Sequence, residues 1–138
     1  MHSATSDDVR HYVDASAGAK LLVEEAESGI LAAFLQRAVD DGEAVGSSHL
    51  LETELRRLGI RLGIPQEHVT LLLERLDLLT PDGAVYRDAG LLPGSTLRSL
   101  DALHVAAALR WGADAMVTYD ERRAAASRAV GLMVVAPR

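Results

Sequence analysis

The sequence predicts an α/β fold, a three-layer α/β/α sandwich with a mostly parallel central sheet. Three observations carry that expectation. Strand-like segments at 10–13, 44–48, 115–119 and 132–135, with a brief edge strand at 78–80, are separated by helical stretches. The resulting order, β-α-α-β-α-α-(β)-α-α-β-α-β, calls for helical crossovers that cover both faces of a parallel sheet. Two of the strands are followed by an acid, Asp14 and Asp120, and the carboxyl edge of an open α/β sheet is where ligands bind.

In chain order, Arg10, His11, Tyr12 and Val13 make the first strand, and Asp14 ends it. A helix opens at Ala15, Ser16 and Ala17 and runs past Lys20, while Glu24, Glu25 and Glu27 read as a solvated boundary. Residues 28–39 form a second helix whose apolar stripe is Ile30, Leu31, Phe34, Leu35 and Val39. The strand at 44–48 is written in poor strand formers, Gly46, Ser47 and Ser48. A third helix begins at His49 and reaches Leu58. Pro65 then opens a helix over 65–78, with Val69, Leu72, Leu73 and Leu76 inward. A short helix at 84–91 and a loop at 92–96 lead to the helix at 98–111, which has no Gly or Pro and is rich in Ala and Leu. Apolar side chains cover almost its whole circumference, so it is expected to be buried. Gly112 ends it, and the strand at 115–119 delivers the chain to Asp120. A charged helix rich in Ala and Arg at 121–130 precedes the last strand.

The 138 residues suffice for one domain with a sizeable core, read as a loose tail over 1–9 and a single domain over 10–138. A hydrophobic content of 49% argues against a disordered chain. The net charge of −6 argues against a general nucleic-acid coat, which is basic, but leaves room for an enzyme that grips nucleic acid locally through metal. Of the 14 basic residues only Lys20 is a lysine; arginine is the better fork for phosphate, though a GC-rich genome gives the same bias. Cysteine is absent, which removes thiol chemistry and fits a reducing, cytoplasmic setting. No apolar run approaches the roughly 20 residues of a membrane span, and the polar, acidic start does not read as a signal peptide. There is no Gly-rich phosphate loop to support a nucleotide cofactor.

Four acids are candidates for a site: Asp14, Glu54, Asp101 and Asp120. Asp14 has a structural alternative as an N-cap, and Asp101 as a complement to the open N–H groups of its first helical turn. Glu54 is distinguished from Glu52 by helix phase. With Leu50 at 0°, Leu51, Leu55 and Leu58 centre at about 80°, Glu54 falls at about 40°, and Glu52 at about 200°. Glu54 is therefore directed inward, where an unpaired charge is costly and needs a partner, either an arginine such as Arg57 or Arg61 or a bound cation.

Four clustered acids with no cationic side chain among them would repel. Two unit charges about 4 Å apart cost roughly 4 kcal/mol at an effective dielectric near 20. A divalent ion removes that conflict. Oxygen ligation, with no Cys and no zinc-like spacing of the five histidines, points to Mg²⁺ or Mn²⁺ and to metal-assisted phosphodiester hydrolysis. On this reading, Asp14→Asn or Asp101→Asn abolishes cleavage and leaves the melting temperature unchanged or raised. Ser16 and Thr118, each two residues from an acid, either orient a carboxylate or water, or serve as caps. His104 reads as a helix residue hydrogen-bonded near the core rather than a ligand.

Four pieces of the chain carry a resemblance: Tyr-Val-Asp-Ala-Ser-Ala from Tyr12, Ser-Ser-His-Leu-Leu-Glu-Thr-Glu-Leu-Arg-Arg from Ser47, Leu-Asp-Ala-Leu-His-Val-Ala-Ala-Ala-Leu from Leu100, and Val-Thr-Tyr-Asp-Glu-Arg from Val117. In this order and spacing the chain resembles the PIN-domain family, and more narrowly the VapC-type toxins of toxin–antitoxin modules. The resemblance runs from Arg10 to Pro137. It implies that Asp14, Glu54, Asp101 and Asp120 bind metal, with Ser16 and Thr118 as supporting hydroxyls. It further implies a Mg²⁺-dependent endoribonuclease, a homodimer, and a cognate VapB-type antitoxin. Residues 1–9 depart from the family, whose members usually begin almost at the first strand. Other readings are a PIN nuclease of RNA processing outside such modules, a silent PIN-like binding module, and a receiver-like signalling domain. The last needs a late lysine that this chain lacks. The apolar helices at 28–39 and 65–78 offer either a groove for an amphipathic antitoxin helix or faces taken up by the core or by a homodimer interface.

Overall fold

The computed structural model describes residues 9–138, so the tail expected over 1–9 lies, but for Val9, outside the described residues. The elements are β1 (Arg10–Val13), α1 (Ala15–Leu22), α2 (Ser28–Asp40), β2 (Ala44–Ser48), α3 (His49–Leu62), α4 (Gln66–Glu74), β3 (Asp77–Leu79), α5 (Gly83–Gly90), α6 (Ser99–Trp111), β4 (Ala115–Val117), α7 (Glu121–Ala129) and β5 (Met133–Val135). The strands form one sheet in the order β3-β2-β1-β4-β5, parallel throughout. The expected α/β sandwich is the fold observed.

Strand β1 lies at the centre, with β2 on one side and β4 on the other. The strand order reverses there, so the carboxyl ends of β1 and β4 bound the crevice where such sheets bind ligands. The register pairs Val13 with Val117, and the backbone N–H of Asp14 donates to Val117 O at 3.2 Å. Alternate side chains supply the two helical layers. Tyr12 and Met116 pack with Val85, Val105 and the alanines of α6, whereas Val13 and Val117 pack with Ala17, Leu31, Leu35 and Val45. Helices α3 and α4 close a third cluster through Leu51, Leu55, Val69 and Leu73.

Three of the boundaries that differ from the sequence reading have a plain physical cause. Helix α3 continues to Leu62 because Gly63, at φ +70°, supplies the left-handed cap. Helix α4 stops at Glu74 because Asp77–Leu79 leave the helical path to pair with Gly46–Ser48. Strand β4 stops at Val117 because the N–H groups of Tyr119 and Asp120 turn to the hydroxyls of Ser16 and Thr118. Helix α6 is buried at seven positions from Asp101 to Ala108, as its composition predicts, although Leu100 and Leu109 face solvent.

Gly46 explains the weak strand signal of β2. A Cβ there would stand 2.5 Å from the Asp77 carbonyl oxygen and 2.7 Å from Trp111 Cζ2. Neither a paired backbone nor a packed indole can yield that space. Gly46→Ala is expected to cost about 3 kcal/mol of stability, at the upper end for overpacking, and thermal denaturation measures it.

Candidate active site

Each acid is delivered by a backbone feature that the local sequence dictates. Asp14 is the N-cap of α1 and accepts from Ala17 N at 3.0 Å. Asp120 is the N-cap of α7 and accepts from the N–H groups of Arg122 and Arg123. Asp101 occupies the first turn of α6, and Glu54 the second turn of α3. The capping roles and the site roles are therefore compatible for Asp14 and Asp120. Capping fixes each carboxylate at the sheet edge.

Asp14 is fully buried, and its carboxylate is saturated. Oδ1 accepts from Ser16 Oγ at 2.8 Å and from Ala17 N, while Oδ2 accepts from Thr118 Oγ1 at 2.5 Å and from Arg123 Nη1 at 3.0 Å. A carboxylate has about four lone-pair positions, and protein donors take all of them. Ser16 and Thr118 thus both hold Asp14, and they also receive the N–H groups that end β4.

Arg123 is the residue that sequence reasoning missed. It projects from the first turn of α7 and bridges two acids, reaching Asp14 as above and Asp101 Oδ1 through Nε at 3.0 Å and Nη2 at 2.9 Å. Its side chain is only 7% exposed. Burial opposes its charge, yet the carboxylates of Asp14, Asp101 and Glu54 outweigh burial and raise its pKa above the ordinary arginine value. The expectation that no cationic side chain stands among the acids is corrected here, because a guanidinium bridges the Asp14–Asp101 pair and offsets one of its two negative charges. Helical phase does not single it out, because the alanines are spread round α7 and set no inner face; only the fold shows that Arg123, Ala124 and Ser127 are its buried residues.

Glu54 also has a partner other than the one expected. Neither Arg57 nor Arg61 meets it; His104 Nε2 lies 2.5 Å from its Oε1. His104 is completely buried, and its Nδ1 lies 2.8 Å from Tyr12 Oη, which in turn lies 2.8 Å from Ser48 Oγ. An ionised carboxylate only accepts, so Nε2 carries the proton facing Glu54. In neutral His104, Nδ1 then accepts from the Tyr12 hydroxyl, and Ser48 donates to Tyr12. His104 is hydrogen-bonded in the core as its sequence position suggests, and it holds a site acid from there. Burial, above all, raises the Tyr12 pKa well above 10. Unfolded chains lose that phenol proton near pH 10 while the native state keeps it, so stability falls as pH rises through that range. Tyr12→Phe is expected to flatten this alkaline loss. At neutral pH it costs about 1–3 kcal/mol by leaving Nδ1 without its donor. Urea denaturation across pH 7–11 checks both effects.

Among the described residues, no three His, Asp or Glu side chains are arranged to grip one ion together. The donors themselves are hard carboxylate oxygens, and the Asp14–Asp101 pair already holds a cation, the guanidinium of Arg123. Donor type and charge thus fit a divalent ion of the Mg²⁺ kind. A cleft opens beside Asp101 between the 93–98 loop, α6 and α7, and Arg98 and Arg122 line it. No helix among the described residues is long and apolar enough to cross a membrane.

A parallel sheet with buried acids at its switch point defines a class of α/β proteins with an acidic carboxyl-edge site. The PIN domain family model matches residues 11–129, and the chain belongs to that family, among its VapC-type members. It is 38% identical over 130 residues to Ribonuclease VapC47 of Mycobacterium tuberculosis, covering 91% of this chain and 96% of that protein. It is 40% identical over 134 residues to Ribonuclease VapC35 of the same species, with the same coverage of each chain. The fold is similar to VapBC2 from Rickettsia felis, solved bound to a promoter DNA fragment, with a TM-score of 0.71 at 14% identity over 92% of this chain and 98% of that one. It is also similar to M. tuberculosis VapC20, a sarcin-ricin loop cleaving toxin, with a TM-score of 0.69 at 18% identity over 92% and 99% of the two chains.

Proposed function

We propose that this chain is a Mg²⁺-dependent endoribonuclease, with Mn²⁺ able to substitute, and the toxin of a type II toxin–antitoxin pair. The observation that carries the reading is the convergence of Asp14 and Asp101 at the β1–β4 switch point, in a chain with VapC ribonucleases as relatives. Asp14, Asp101, Asp120 and Glu54 would hold the ion. When bound, it supplies Lewis-acid charge that polarises the phosphodiester and stabilises the leaving oxygen.

The chain's own residues supply the rest. Ser16 and Thr118 keep Asp14 oriented, and His104 does the same for Glu54 through Oε1, leaving Oε2 to act in the site. Arg98 and Arg122, on the cleft beside Asp101, take the RNA backbone as phosphate forks. This local basic rim reconciles RNA binding with an acidic chain.

A cognate VapB-type antitoxin silences the activity. The groove between α1, α2 and α4, lined by Leu21, Leu35, Val39, Leu72 and Leu76, supports that partner, since an apolar groove between helices is the kind of surface an amphipathic helix docks on. Exposed Leu91, Leu100 and Leu109 on and after α5 and on α6 support a homodimer. The working compartment is the cytoplasm, and the functional unit is the single domain over 10–138. Incubating the purified chain with RNA tests the reading. Cleavage should stop on chelation and return with Mg²⁺ or Mn²⁺, and cleavage indifferent to chelator would overturn the metal assignment. Expression should arrest growth, and co-expression with the antitoxin should relieve it.

A further inference from the structure

We infer that Arg123 is an internal competitor for the metal, so that guanidinium and divalent cation occupy the Asp14–Asp101 pair alternately. The inference rests on the metal-dependent reading above and deepens it. Three observations carry it. All four acceptor positions of Asp14 are filled by protein donors, so an ion can reach this carboxylate only after one of them leaves. Ala17 N is fixed by α1, and Ser16 and Thr118 are tied to the N–H groups that end β4. Arg123 Nη1 is the donor on a long, rotatable side chain.

The second observation is that the same guanidinium covers Asp101. Nε and Nη2 both lie on Oδ1, so one movement of Arg123 frees both acids together. The third is the exit. Arg122 and Asp101 line the cleft between α6 and α7, so open space adjoins the acid that Arg123 would leave. With Arg123 in place, one of the two negative charges of the metal-free pair is offset. With Arg123 displaced, the pair presents two anionic groups to a divalent ion. Metal affinity is then reduced by the small fraction of molecules in which the guanidinium is already out.

Calorimetric titration of the full chain with Mn²⁺ tests this, comparing wild type with Arg123→Leu and Arg123→Lys. If the open form is a minor state of about 10% or less, Arg123→Leu should bind Mn²⁺ about tenfold tighter or more. Metal-free Arg123→Leu should melt lower than wild type and gain more from saturating Mn²⁺. Should Arg123→Leu fail to fold without metal, the wild-type protein answers alone. The Arg123 Nε–H signal in a ¹H–¹⁵N spectrum, assigned by its loss in Arg123→Lys, should be protected without metal and lose that protection in saturating Mg²⁺. Equal Mn²⁺ affinity in wild type and Arg123→Leu, or a protected Nε–H that persists in Mg²⁺-saturated protein, overturns the competition while leaving the metal-dependent reading intact. Absence of divalent binding by every form at millimolar concentration overturns both.

Discussion

Asp14→Asn is expected to abolish RNA cleavage and to lower the melting temperature of the metal-free protein. The second half reverses the expectation drawn from charge clustering. If the acids merely repelled one another, removing one charge would relieve the fold. Arg123 changes the sign, because Asp14 is half of a buried ion pair at 3.0 Å and also accepts from Ser16, Ala17 and Thr118. An asparagine can keep its carbonyl toward Ser16 and Ala17. Its amide then meets Arg123 Nη1, donor against donor, while Thr118 must turn its hydroxyl to accept. Breaking a buried pair by removing one partner costs about 3–5 kcal/mol, and the bonds that asparagine retains favour the lower end. For a chain of this length that is a fall on the order of 10 °C. On the proposed function, the same substitution also removes one of the carboxylates that would hold the ion. Melting in EDTA and cleavage with Mg²⁺ are the two measurements. A melting temperature that stays level or rises would show that the Asp14–Arg123 pair contributes nothing to the fold, and retained cleavage would remove Asp14 from the reaction.

The particular residues show which parts of this architecture can be read from one sequence. Alternation of strand and helix gives the layers, because backbone periodicity is local. Asp14 and Asp120 are legible because a strand, an acid and a helix start lie within a few residues. Strand order is not, since β1 pairs with β4 across about a hundred residues and no local pattern says which strand is central. Arg123 stayed hidden for a different reason. Helix α7 is charged, and its alanines set no apolar stripe, yet its Arg123, Ala124 and Ser127 are buried. The Tyr12–His104–Glu54 relay joins three elements, and only the fold brings them together. Phase analysis of α3 succeeded because Leu51 and Leu55, both buried, set the inner face without ambiguity. It pointed Glu54 inward correctly and named the wrong partner, because His104 arrives from another helix.

That phase argument leads to a sharp comparison of two glutamates. Glu54→Gln is expected to lower cleavage about 10²-fold or more, while Glu52→Gln keeps most of the activity. The two carboxylates are two residues apart on α3 and differ in what they touch. Glu54 faces His104 in the relay to Tyr12 and Ser48, and its charge reaches Arg123 at the centre of the site. Glutamine preserves the shape and can accept from His104 Nε2, so the fold survives while the negative charge that the proposed function uses is gone. Glu52 lies on the outer side, bonded to Arg56 at 2.8 Å and to His49 at 3.2 Å. Arg56 first and His49 second lower its pKa, so any stability from this exposed network is present above pH 4.5 and fades as acid protonates Glu52. Exposed pairs of this kind are largely screened, and Glu52→Gln should shift stability by no more than about 0.5 kcal/mol. Initial rates at saturating Mg²⁺, with melting temperatures for both variants, separate loss of chemistry from loss of fold. If Glu52→Gln were the inactive variant and Glu54→Gln the active one, the inward face of α3 would not be the face that serves the site.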